Sequence, residues 1–170
     1  EPQALVEELI RQKSRLQEIS LYTVVLGSPC KYADIACHPH FNIRTFLSSP
    51  LLKKAYENNI CDYLPVNFSE VPRWINEENI DVALIQVSPP NESGFCNLGI
   101  SVDVVQTLIK EARIVIAEVN SNLPETAGET LVHVSNISYF VPSDRPLLTI
   151  RNSRTSDEYL EIGRNVATLI

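Results

Sequence analysis

No stretch of this sequence strings together the ~20 apolar residues that a membrane-spanning helix needs. Nor does a basic segment followed by an apolar one open the chain, as a secretion signal would. Cationic residues are scarce too. Fourteen Lys and Arg against 21 Asp and Glu leave a formal net charge of -7. That balance argues against a nucleic-acid face, which needs clustered basic side chains to displace counterions. Neither a GxGxxG element nor a P-loop is present, so nucleotide phosphates find no obvious cradle. A GxSxG elbow is missing as well, which removes the commonest serine-hydrolase geometry and leaves His133 as a sheet histidine within "LVHVS". The cysteines Cys30, Cys37, Cys61 and Cys96 lack the CxxC-type spacing of a structural zinc site, so Cys30, Cys37, His38 and His40 are expected to hold no metal. In a chain with 44% hydrophobic residues, four scattered cysteines read as reduced thiols, not as a disulfide framework. The sequons at Asn67, Asn91 and Asn136 are discounted on the same grounds. Methionine is absent altogether, even at the first position, and the two ends run through helical patterns without stop signals. Together these features predict a soluble cytoplasmic protein read from a piece of a longer chain.

What is present is an alternation of apolar runs and amphipathic segments. Leu5, Val6, Leu9 and Ile10 recur on one helical face after Pro2. The runs "LYTVVL" (21–26), "NIRTFLSS", "CDYLPV", 82–87, "ARIVIAEV" (112–119) and "VHVSNISYFVP" read as strands, with Pro65 pushing the third to an edge. Helices are expected after Ser49-Pro50, after a Ser69 cap with Val71, Trp74 and Ile75 on one face, and from about Ser101. Strands that are apolar throughout are covered on both faces, as in parallel sheets. Strands alternating with helices imply βαβ units. The predicted class is α/β, an open and mainly parallel sheet with helices on both faces.

Ligands of such sheets sit beyond the carboxyl ends of the strands, so the residues following each strand are the candidates. They are Gly27-Ser28-Pro29-Cys30, Gln86 to Gly99, and Asn120-Ser121-Asn122. The middle segment, "QVSPPNESGFCNLG", reads as a connection of about a dozen residues, long for a strand-to-helix link. It is either a functional loop or a plain surface excursion. Gln86, Ser88, Pro89, Gly94 and Asn97, with Ser28, are the residues expected to face a small anionic ligand. The helix start expected near Ser101 would supply free N–H groups for it. Glu92, at the loop tip, reads as a solvated side chain.

The stretch "DVALIQVSPPNESGFCNLGISVD" also resembles the amino-terminal domain of the acetyl-CoA hydrolase/transferase family, which includes 4-hydroxybutyrate and butyryl-type CoA-transferases. "EPQALVEELI" is similar to that family's opening helix and "LGSPCKYAD" to its first strand-loop. "DYLPVNFSEVPRW" and "IVIAEVNSNLPETAGETLVHVSNI" match further segments, and "EIGRNVATLI" resembles the helix leading to a second domain. Asn97 stands where the family usually has serine. The resemblance implies residues 1–157 as the amino-terminal domain and 158–170 as the start of a linker helix. It implies transfer of CoA between an acyl-CoA such as acetyl-CoA and a short-chain carboxylate, 4-hydroxybutyrate or butyrate. The nucleophilic glutamate would lie in a carboxyl-terminal domain beyond residue 170, so no catalytic residue is expected in this chain. Coenzyme A enters as substrate, no cofactor is implied, and a homo-oligomer, a homodimer in the simplest case, is expected. The alternatives are an acetyl-CoA hydrolase of the same family, or a free-standing α/β module binding a small organic anion.

Overall fold

The computed structural model describes residues 1–24, 29–149 and 155–170. Its elements are built around two parallel sheets. Strands β1 (Ile19–Thr23), β2 (Phe41–Thr45) and β3 (Cys61–Tyr63) form the first, in the order β1-β2-β3. Strands β4 (Val82–Val87), β6 (Ile114–Asn120) and β8 (Tyr139–Ser143) form the second, with β6 central and every pair parallel. The α/β class with parallel sheets agrees with the sequence reading. The strands divide, however, into two three-stranded sheets.

Helix α1 (Gln3–Arg11) lays Val6, Leu9 and Ile10 against the core of the first sheet, where Phe41, Ile43 and Leu52 are essentially unexposed. Burying each such side chain contributes on the order of 1.5–3 kcal/mol. Helix α2 (Lys53–Glu57) follows a short turn at Pro50–Leu52, started by the Ser49 hydroxyl accepting the Leu51 N–H. Helices α3 (Val71–Glu77) and α4 (Val105–Glu111) pack together over a third cluster of Phe46, Val71, Ile75 and Val104, joined by Trp74 and Leu108. Trp74 meets the rings of Tyr22 and Phe46 at 4.8 and 4.9 Å. Because its side chains come from both halves of the chain, this cluster joins the two sheets.

Several element ends depart from the sequence expectation for physical reasons. Helix α3 begins at Val71, after a single turn over Phe68–Glu70, so Ser69 is not its cap. Helix α4 begins at Val105, not near Ser101, because the Asp103 carboxylate takes the Val104 N–H and holds the preceding residues in turns. β3 stops at Tyr63, two residues short of Pro65, as a residue without an N–H requires. Leu26, Gly27 and Ser28 lie outside the described residues. Helix α5 (Asp157–Ala167) buries none of its side chains.

Along β4 and β6 the alternation of side chains divides the second sheet cleanly. Ala83, Ile85, Val87, Val115 and Ala117 form one face, a core completed by Ile109 of α4, Cys96, Leu98, Val132 and Ile137. Leu84, Gln86, Ile116, Glu118 and Asn120 belong to the other. No helix of the described residues is long and apolar enough to cross a membrane.

Candidate functional site

The segment after β4 does not run free. It folds into a closed hairpin-like unit within what the sequence shows only as a long strand-to-helix connection. The Ser88 N–H donates to the Asn97 carbonyl at 2.8 Å, and the Asn97 N–H donates back to the Ser88 hydroxyl at 2.9 Å. That hydroxyl donates in turn to the Pro89 carbonyl at 3.0 Å. Asn91 closes the tip: its side-chain oxygen accepts from Ser93 and Phe95 N–H, while Gly94 donates to its carbonyl. Gly94 sits at φ +78, where other residues are strained. A methyl group there would also approach the His133 ring to 3.1 Å. The returning strand β5 (Phe95–Asn97) pairs antiparallel with β7 (Leu131–His133).

Asn97 is buried at the centre of a second set of contacts. Its amide nitrogen donates to the Thr126 carbonyl and the Thr130 hydroxyl, both at 3.0 Å. Its oxygen accepts the Gly99 N–H at 2.7 Å and faces the Thr126 N–H and hydroxyl. The Thr126 hydroxyl donates to the Gly99 carbonyl at 2.6 Å. The connection 121–130 is thereby strapped onto the segment that follows β4. Gly99, at φ +61, permits that approach, since a Cβ there would stand 2.6 Å from Leu123 Cγ.

Among the expected site residues, then, the structure brings Ser88, Pro89, Gly94 and Asn97 into one unit at the carboxyl end of the second sheet. Ser88 and Asn97 are buried with their polar atoms engaged, whereas Pro89 is exposed. Pro90 joins Val119, Val134, Phe140 and Pro142 around a shallow apolar depression of about 290 Å³. Gln86 is half-buried on the opposite face of β4. Ser28 lies outside the described residues. Glu92 is exposed.

On the face of Gln86 lies a residue that the sequence reading passed over. Glu118, in the middle of β6, has no exposed surface. One carboxylate oxygen accepts the N–H groups of Ala4 at 2.8 Å and Leu5 at 3.4 Å, the first turn of α1. Glu118 thus caps the start of α1 from within the sheet, where free amides and the helix dipole favour a carboxylate oxygen. The signal was legible: one acid inside an otherwise apolar run buried on both faces. Asn120, two residues on and equally buried, donates to the Arg145 carbonyl at 2.9 Å and accepts the Asn122 N–H. Beyond it, Glu7 of α1 pairs with Lys31 at 2.9 Å and Arg145 at 2.6 Å, and these two cations hold its carboxyl below the ordinary carboxylate range.

His133 is fixed by its neighbours. Its Nδ1 accepts the Ser135 N–H at 3.2 Å and lies 2.8 Å from the Ser135 hydroxyl, and its ring packs edge-on against Phe95. All four cysteines are buried, and burial pushes the thiols of Cys37, Cys61 and Cys96 up, away from the reactive thiolate. Among the described residues no group of three or more His, Cys, Asp or Glu side chains is placed to hold a metal ion.

Comparison with known proteins agrees with this geometry. Residues 1–150 match the acetyl-CoA hydrolase/transferase N-terminal domain. The whole chain is 35% identical to 4-hydroxybutyrate coenzyme A transferase of Clostridium kluyveri, over 40% of that protein's length. It is 29% identical to butyryl-CoA:acetate CoA-transferase of Anaerostipes caccae, with 86% of this chain and 34% of that one aligned. The chain spans about two-fifths or less of the curated relatives it matches. Among solved structures, RipA from Yersinia pestis superposes with a TM-score of 0.89 at 23% identity, covering 98% of this chain and 42% of that one. A 4-hydroxybutyrate CoA-transferase from Porphyromonas gingivalis gives 0.64 at 27% identity, covering 99% and 44%. The chain belongs to the acetyl-CoA hydrolase/transferase family, whose amino-terminal domain it represents.

Proposed function

We propose that this chain is the amino-terminal part of a CoA-transferase that moves CoA between an acyl-CoA, such as acetyl-CoA, and a short-chain carboxylate, 4-hydroxybutyrate or butyrate. The observation that carries the reading is the match of residues 1–150 to the family's amino-terminal domain, together with relatives named for this exchange. In the family mechanism a glutamate of the other domain attacks the thioester carbonyl and expels the CoA thiolate, leaving an acyl-glutamyl anhydride. The thiolate then attacks the glutamyl carbonyl and releases the first carboxylate. The resulting glutamyl-CoA thioester returns CoA to a second carboxylate by the reverse steps. This is covalent catalysis with ping-pong kinetics.

Residues of this chain would form a wall of the cleft. Pro89, Gly94 and the backbone braced by Ser88 and Asn97 would shape one side, and Gln86 and Ser28 would contribute polar groups to the carboxylate. A wall that excludes water matters because an exposed anhydride hydrolyses. Coenzyme A is substrate here, not cofactor. Residues 158–170 would lead toward the second domain, and the working form would be a cytoplasmic homodimer.

The test uses the purified whole protein, given acetyl-CoA with 4-hydroxybutyrate or butyrate, with products separated by chromatography. New acyl-CoA in equal amount to released acetate, with parallel-line kinetics, is the expected result. Free CoA and acetate without new acyl-CoA would identify a hydrolase instead. Turnover of neither kind would overturn the reading.

A further inference from the structure

Helix α5 is amphipathic, yet it covers nothing. Tyr159, Ile162, Val166, Leu169 and Ile170 lie along one side, all more than half exposed. Glu161, Arg164, Asn165 and Thr168 lie along the other. Helix α1 carries the same kind of stripe and lays it on the core of the first sheet. Gly163 falls inside the apolar side of α5, one turn after Tyr159 and one before Val166. Only proline is a poorer residue for a helix interior. A Cβ built on Gly163 meets nothing within 4 Å among the described residues, so nothing in this domain calls for the missing side chain. A surface that comes close to the helix at that point would call for it.

The placement of α5 recurs in a longer chain. The superposition on RipA covers 98% of this chain, too much to leave out the 11 residues of α5, and only 42% of RipA. More than half of that molecule therefore lies outside the shared part. The match to the family's amino-terminal domain also stops at residue 150, before α5 begins.

We propose that the apolar side of α5 is an interface with the part of the same protein that follows residue 170, and that Gly163 marks its closest contact. In this reading α5 is a core helix of the next domain, with Tyr159, Ile162, Val166 and Leu169 turned into that core. The covering surface is apolar, and its backbone or a bulky side chain fills the space that a side chain at position 163 would occupy. The proposal rests on the reading of this chain as the amino-terminal part of a longer enzyme.

Hydrogen exchange compares the unmodified whole protein with the 1–170 chain. The amides of residues 160–167 should exchange at least ~100-fold more slowly in the whole protein, at any protein concentration, while they exchange nearly freely in the 1–170 chain. Equal exchange in the two would overturn the proposal. Protection that grows with protein concentration would overturn it too, since a second copy would then be the cover. Substitution at Gly163 gives an independent reading with a difference in sign. In the 1–170 chain, Gly163→Ala adds a methyl that touches nothing and favours the helix, so circular dichroism should show equal or greater helix content. In the whole protein, Gly163→Leu should overfill the contact and lower the thermal midpoint by ~2 °C or more. A Gly163→Leu whole protein as stable as its parent would overturn the close contact. A whole protein that transfers no CoA refutes the functional reading, and the exchange of α5 still decides the interface.

Discussion

The Asn97 side chain reaches two segments at once. Its amide nitrogen holds Thr126 and Thr130, and its oxygen holds the Gly99 N–H. Removing the amide strands these partners out of reach of water, and an unsatisfied buried polar group costs about 1–3 kcal/mol. Asn97→Ala is therefore expected to lower the unfolding free energy by an amount in that range, read as a lower denaturant midpoint with an unchanged m-value. A variant as stable as the parent would show that the strap carries no weight. Gly99→Ala fails for two separate reasons, the positive φ and the 2.6 Å approach to Leu123 Cγ. Leu123→Ala should relieve only the second, so the Gly99→Ala/Leu123→Ala pair is expected to stay less stable than Leu123→Ala alone. The same accounting extends to Ser88. Its hydroxyl both accepts and donates inside the protein, so Ser88→Ala should cost stability as well as activity.

At the scale of elements, α1 ties the molecule together. Its apolar face covers the first sheet, its first amides hold Glu118 of the second, and Glu7 reaches Lys31 and Arg145. Hydrogen bonds from Lys31 and then Arg145 depress the Glu7 carboxyl below the ordinary value of 4.5. As pH falls, the unfolded chain takes up this proton first. The stability tied to Glu7 is thus whole above about 4.5 and drains as pH falls through the lower folded value. Replacing Glu7 by Gln should lower the thermal midpoint at pH 6, and the gap to the parent should narrow by pH 3. The gap is modest because the groups are part-exposed and screened. A gap that ignores pH would refute the ion-pair account.

Elements also show what could be read beforehand. β4 and β6 were legible because Val82–Val87 and Ile114–Asn120 are apolar runs of strand length, covered on both sides. α1 was legible from its periodic Val6, Leu9 and Ile10. β5 and β7 were not, since three-residue strands carry no period, and their pairing depends on the Gly94 turn and the Ser88–Asn97 bonds. The start of α4 was misplaced because Ser101 is a good cap residue in isolation, yet the Asp103 carboxylate captures the Val104 N–H. Glu118 stands out in sequence as one acid in an apolar run, but its partners, the first amides of α1, lie over a hundred residues away and could not be read from it.

Considered as a whole, the described chain has a core at each sheet and a third between them, and a terminal helix that belongs to none. α5 buries no residue, and Tyr159, Ile162, Val166 and Leu169 are all more than half exposed. Helical propensity alone rarely sustains 11 residues in water; amphipathic helices are stabilised by what they pack against. A chain ending at Thr155 should therefore melt within ~2 °C of the 1–170 chain, because the truncation removes no core contact. The 1–170 chain should self-associate more strongly in sedimentation, since its apolar stripe has nowhere else to go. Both are expected to lack CoA transfer, because the nucleophile of the proposed mechanism lies in the other domain. A drop of several degrees on truncation would place α5 inside the cooperative unit. Thioester exchange by either piece would move the nucleophile into this chain, and the buried carboxylate of Glu118 would then be the first residue to replace.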